Sequence, residues 1–187
     1  MGNVRTASII RGAVGLRRLP SRARPVIVNV CWMDNIGRRG EDRVREESLV
    51  PYCGPDEIEA SLAWTMTDRG GLSGHLTLRN VGNRTCRVGG KPGITPLDVN
   101  GEPLPTKHIV SLELREPSWA LIGPGETAAA GVWWSGWCGA PASGEVRVAW
   151  EQGEATVTAD GPHQPQCLGT GAPTNTSSSW FNRIPEA

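Results

Sequence analysis

From Pro51 onward the apolar and polar positions alternate with a period of two. Ile58, Ala60, Leu62, Trp64 and Met66 alternate with Glu59, Ser61, Ala63 and Thr65. That period puts one face of an extended strand in a core and the other outside. Asp68-Arg69-Gly70-Gly71 supplies turn chemistry, because glycine reaches the positive φ of a tight turn. Leu76 and Leu78 then alternate with His75, Thr77 and Arg79 in a second strand. Turn residues at Asn80–Asn83 precede a short strand over 85–88, and Ile94–Val99 leads into Asn100-Gly101, a strong hairpin signal.

The same period predicts four further strands. Val110, Leu112 and Leu114 alternate with Ser111, Glu113 and Arg115, and Gly123-Pro124-Gly125 closes that stretch. Thr127–Trp137 reads as one long strand. Val146, Val148 and Trp150 mark the next, and the turn at Gln152-Gly153 leads to the last, Ala155–Ala159. No helix is evident after residue 60 and no segment repeats. About seven or eight short strands between regular turns predict an all-β antiparallel sandwich over 51–168. Residues 169–187 (opening LGTGAPTNTSSS from Leu168) are polar and read as a C-terminal tail.

The front of the chain departs from this pattern. Its first 33 residues hold six Arg and no acid, and residues 38–47 (RRGEDRVREE) are almost all charged. Arg11 interrupts the apolar stretch from Ala7 to Leu16. The twin arginine Arg17-Arg18 lacks a following apolar run, and Val30 precedes Cys31 where a lipoprotein signal needs a small residue. Residues 1–50 therefore read as a flexible tail, or as sequence translated from a misplaced start. No stretch approaches the ~20 apolar residues that cross a bilayer as a helix.

Composition adds constraints. Gly 24 and Pro 15 suit many turns between short elements, and eight Trp exclude a disordered chain. Zero net charge gives no nucleic-acid footprint. The five cysteines, Cys31, Cys53, Cys86, Cys138 and Cys167, form no CxxC pair, so zinc-ribbon and thioredoxin patterns are absent. Well-spaced cysteines in a turn-rich chain fit an oxidising compartment; the alternative is a cytosolic protein with reduced thiols. Register orders the pairing. A hairpin turning at 68–71 sets Cys53 opposite about residue 85, and the turn at 152–153 returns Cys167 to the level of the Trp137-Cys138 corner. The expected disulfides are Cys53–Cys86 and Cys138–Cys167, with Cys31 left over.

Candidate chemistry is sparse. His75, His108 and His163 show no ligand spacing, and no nucleophile-elbow, HExxH, P-loop or dinucleotide motif occurs. Asp98 and Glu102 flank the Asn-Gly turn as hairpin-end acids do. No catalytic residue, metal ligand or cofactor is assigned. The WWSGWC run is the one local oddity. Trp134 is in phase with Ala128, Ala130 and Val132 and belongs to the core, which turns Trp133 and Trp137 the other way, either as a platform for a sugar ring or a partner protein or, if both faces of this strand are covered, beneath a loop. The sequons at Asn83 and Asn175 matter only on a eukaryotic secretory route.

Two stretches carry a family resemblance. LTLRNVGNRTCRVGGKPGITPLDVNGEPL (Leu76–Leu104) and LIGPGETAAAGVWWSGWCG (Leu121–Gly139) resemble an uncharacterised group of actinobacterial exported or lipoprotein domains, with Cys53 and Cys167 as opening and closing cysteines. The resemblance covers about residues 51–185. It implies an immunoglobulin-like sandwich that is secreted, lipid-anchored or attached to a membrane segment, and it brings no catalytic residues. The front departs from that group, where a signal peptide or lipobox should stand. The expectation is a non-enzymatic secreted or cell-envelope domain, a binding or spacer module whose partner is a protein or glycan at the cell surface. An enzyme with an unrecognised site is the alternative.

Overall fold

A computed structural model describes residues 42–115, 117–170 and 174–184. Most of the stretch read as an N-terminal tail, Cys31 included, lies outside the described residues. Residues 42–47 form a short helix carrying an Arg43–Glu47 ion pair of 2.8 Å one turn apart.

The rest is β. The strands are β1 (Ile58–Met66), β2 (Leu72–Asn80), β3 (Cys86–Gly89), β4 (Gly93–Asp98), β5 (Lys107–Ile109), β6 (Trp119–Ile122), β7 (Thr127–Trp134), β8 (Ala142–Trp150), β9 (Gly153–Thr158), β10 (Asn175–Ser178) and β11 (Asn182–Arg183). The front sheet runs β1-β2-β7-β10-β5, with β11 also on β7. A three-stranded sheet, β4-β8-β9, and a two-stranded ribbon, β3-β6, complete the structure. One hydrophobic cluster joins all three, from Leu62, Leu76, Val132 and Trp134 of the front sheet to Val88, Ile122, Ile94 and Val148 of the others. The molecule is an all-β sandwich. All strand pairs are antiparallel except β10 with β5.

Alternation carries β1, β2, β7 and β8 as expected. Leu62 and Trp64 are buried while Glu59, Ser61 and Ala63 are exposed. Trp64 crosses the β1–β2 pair opposite Gly74, where an added Cβ would sit 2.8 Å from its ring and 2.0 Å from the Ala63 carbonyl oxygen. Only glycine leaves the indole that room.

Among the described residues, eleven strands replace the seven or eight expected. The additional ones, β5, β6, β10 and β11, span two to four residues, too short for periodicity to register. The stretch 110–115 corrects the expectation in the other direction. Its alternation suggested a half-buried strand, yet Val110, Leu112 and Leu114 are 60%, 96% and 95% exposed and it joins no sheet.

The presumed C-terminal tail is corrected as well. Asn175–Ser178 forms β10 between β7 and β5. Its hydroxyls explain how a polar strand can be buried. Thr176 Oγ1 donates to the Ile94 carbonyl (3.2 Å) and Ser178 Oγ to that of Pro92 (2.7 Å), so the strand bonds sideways to its own sheet and across to β4 and the residue before it. Buried polar groups that find partners carry no desolvation penalty beyond the bond they replace. Phe181, 1% exposed, then plugs the core before β11.

Both expected disulfides are present. Cys53 joins Cys86 with Cα atoms 4.9 Å apart, and Cys138 joins Cys167 at 4.6 Å. The β1–β2 register matches the one inferred, with Ile58 opposite Asn80. The route to Cys86 differs from a prolonged hairpin. Both arms leave the sheet, and Tyr52 pairs parallel to Arg87, which places Cys53 beside β3. Asn80 marks the exit. Fully buried, its amide donates to the Arg84 and Ile122 carbonyls and accepts from the Gly82 N–H. Nearby, Glu57 accepts from Arg84 and from the Gly54 N–H, which together hold its carboxyl below the ordinary value.

Each disulfide closes a loop of comparable length, with separations of 33 and 29, worth about 3–4 kcal/mol in the chain-entropy model. Their surroundings differ. Cys53 and Cys86 are 1% and 0% exposed, while Cys138 and Cys167 both lie at the surface. Graded dithiothreitol on the native protein should therefore open Cys138–Cys167 first and spare Cys53–Cys86 until the fold opens. Alkylation followed by peptide mass mapping reads the order, and simultaneous loss of both bridges would contradict it.

Candidate functional site

The outer face of the front sheet is set by register. Ser73 of β2 faces Trp133 of β7, Trp133 faces Ser177 of β10, and Ser177 faces Ile109 of β5. Trp133 thus stands in a cross-strand row between two serines, with no large side chain directly opposite it on either neighbour. It is 42% exposed. Gly131, two residues earlier on the same face, lies beneath its ring: a Cβ there would meet the indole at 2.8 Å.

Beside this row opens a groove of about 430 Å³. Ile109, Trp133 and Leu168 supply its exposed apolar lining, with Arg69 among the lining residues. Ile109 and Leu168 are 43% and 52% exposed. Arg69 is exposed and forms no ion pair among the described residues. An apolar concavity with a few polar groups is the usual form of a binding site, and tryptophan offers a broad, rigid contact surface there.

Trp137, expected beside Trp133 on this face, is not there. β7 ends at Trp134, so the alternation that would turn Trp137 outward stops three residues before it. Its side chain is 7% exposed, its ring lies 6.2 Å from that of Trp134 and its Nε1 donates to the Ala140 carbonyl. Gly139 permits this fold-back, since a Cβ there would meet the ring at 2.3 Å. The two-tryptophan platform is replaced by one exposed indole with aliphatic neighbours. Trp134 is fully buried, in phase with Ala128, Ala130 and Val132.

The titratable residues considered from the sequence fall in separate places. His75 is exposed on β2, His163 packs over Gly144, and His108 on β5 meets Thr176 Oγ1 at 3.1 Å. Burial lowers the His108 pKa. Asp98 accepts from the backbone N–H groups of Glu102 and Asn100, which lower its pKa. Its carboxylate therefore shapes the turn, and Glu102 meets it through backbone. Among the described residues, no group of three or more His, Cys, Asp or Glu could hold a metal ion. The sequon at Asn175 lies within β10, where Thr176 is fully buried.

Sequence reasoning found Trp133 but missed Ile109, Leu168 and Arg69. They lie 24, 35 and 64 positions from it and meet it only through the strand order. The one usable signal was apolar excess in polar surroundings, as at Leu168 before a Gly/Thr/Ser-rich stretch.

Fold and groove together define a disulfide-linked all-β sandwich domain with an apolar depression on one sheet. The chain belongs to the family described as a domain of unknown function, DUF4232, whose model matches residues 53–180. No curated protein and no solved structure matches it. The family match reaches through β10, so the strand read as tail lies inside the family's domain.

Trp133 and Trp137 are separable by stability. Trp137→Ala should cost about 3–5 kcal/mol, the usual range for emptying a buried tryptophan site, and Trp133→Ala less than about 1 kcal/mol. Urea unfolding of both variants measures this, and equal costs would place both indoles in the core.

Proposed function

We propose that this chain is a non-enzymatic binding domain of a secreted or cell-envelope protein, and that the groove beside Trp133 receives an apolar segment of a partner protein. The observation that carries this reading is the cross-strand row Trp133–Ser177–Ile109, with exposed Trp133 and Ile109 and exposed Leu168 beside them. Water-exposed indole and branched aliphatic surface is costly to keep unless it is used. Arg69 at the groove, with no ion-pair partner among the described residues, suits a ligand with an acidic group next to its apolar anchor.

An oxidising compartment is supported by two disulfides in a domain of modest size. Among the described residues no helix is long and apolar enough to cross a membrane. A glycan is the second reading, favoured by a tryptophan flanked by small hydroxyl residues, Ser73 and Ser177. The aliphatic lining favours peptide, because sugar sites surround the stacking ring with polar side chains.

The dye 1-anilinonaphthalene-8-sulfonate, an apolar ring system bearing an anion, is a suitable first probe. It should bind the native full chain saturably, at least tenfold more weakly to Trp133→Ala and several-fold more weakly to Arg69→Ala. Peptide and glycan arrays probed with native protein and Trp133→Ala then assign the ligand class. Dye affinity unchanged by Trp133→Ala, or array signals that all survive it, would remove the groove from the function.

A further inference from the structure

A second apolar surface lies at the edge of the front sheet, and the Trp133 groove does not explain it. Among the described residues, β5 is the terminal strand of that sheet and pairs with β10 alone. The chain continues from it as Val110-Ser111-Leu112-Glu113-Leu114-Arg115, outside any ladder. Leu112 and Leu114 are almost fully exposed and Val110 is 60% exposed. Natural sheet edges normally carry charge or proline instead of alternating leucines, because an apolar edge invites another strand.

The segment is held in place, and only from one side. Lys91, whose side chain is 5% exposed, donates to the Ser111 carbonyl (3.0 Å), to Ser111 Oγ and to the Glu113 carbonyl (3.5 Å), and its ammonium lies 4.9 Å from the Trp180 ring centre. Arg115 anchors the far end on the Phe181 carbonyl and Asn182 Oδ1. Lys91 thus takes up the carbonyls of Ser111 and Glu113 and lies 3.8 Å from the Glu113 carboxylate, while the carbonyls of Val110, Leu112 and Leu114 stand apart from these bonds. Among the described residues they have no hydrogen-bond partner.

We propose that this edge binds a second copy of the same chain, by antiparallel pairing of 110–114 about a two-fold axis at Leu112. The sequence is self-complementary in that register. Leu112 faces Leu112, Val110 faces Leu114, and Glu113 faces Ser111, so no like charges are directly opposed. A two-fold centred on Glu113 sets two carboxylates face to face, which disfavours it. One centred on Ser111 places Leu114 across from His108 and loses the apolar match. The pairing is isologous, and therefore closes as a dimer instead of propagating. The apolar surface offered is three exposed side chains per protomer. That is below a standard interface and sets a weak dimer that forms with rising concentration.

The test uses the full chain in a Cys31→Ser background. Sedimentation velocity over a concentration series should show monomer giving way to dimer. Leu112→Asp should raise the midpoint at least tenfold while leaving the melting temperature unchanged, because Leu112 touches little in the monomer. Trp133→Ala should leave the midpoint within about twofold, which separates this surface from the groove. Leu112→Cys should be captured as a dimer by a short bis-maleimide. Val110→Cys and Leu114→Cys should each be captured poorly alone and well when mixed. Monomer at every concentration up to ~1 mM, where even weak edge pairing would appear, overturns the proposal. So does a dimer that Leu112→Asp leaves intact, or a monomer whose segment instead binds anionic lipid vesicles.

Discussion

The two hydroxyl bonds from β10 to β4 and the residue just before it hold the arrangement together. Thr176 and Ser178 reach from the front sheet to the carbonyls of Ile94 and Pro92, and a strand of Asn, Thr, Ser and Ser has little apolar surface with which to bury itself otherwise. Hydroxyls can occupy a sandwich interior only where acceptors meet them. Here the carbonyls of Pro92, just before β4, and of Ile94 within it supply the acceptors. Remove that match and β10 has no reason to leave water. β5, paired only with β10, would then lose its place too.

Both surfaces with functional potential follow from this. The groove exists because Ile109 of β5 and Trp133 of β7 stand on either side of Ser177, whose small side chain leaves the gap between them. The apolar edge exists because β5 ends the sheet and Lys91 draws only one side of 110–114 inward. The disulfides act at other points. Cys53–Cys86 secures the approach to β1 against β3, and Cys138–Cys167 ties the end of β7 to the stretch that precedes β10. The second therefore shortens the search of the C-terminal segment for its slot between β7 and β5.

Long strands were legible in the sequence because period-two burial over eight or nine residues is hard to produce otherwise, as in β1, β7 and β8. The cysteine pairing was legible from hairpin register even though the chain leaves the hairpin before reaching Cys86. Three features were not legible. β10 has no apolar period, and its burial depends on acceptors more than eighty positions away in sequence. Residues 110–115 have a clean period but no partner strand, so alternation alone gave the wrong burial. Trp137 was misplaced because a strand's parity rule ends where its ladder ends, at Trp134. Of the candidate site, Trp133 was visible and its companions were not, since strand order in space is what assembles them.

The central claim, that a hydroxyl-rich segment is a true interior strand, is tested most directly by native-state hydrogen exchange over Asn175–Ser178 in the full chain. Protection of these amides comparable to that of β7 is the result this account predicts. Exchange at the rate of an unstructured polar segment would contradict it, and would leave both the groove and the β5 edge without the strand on which they stand.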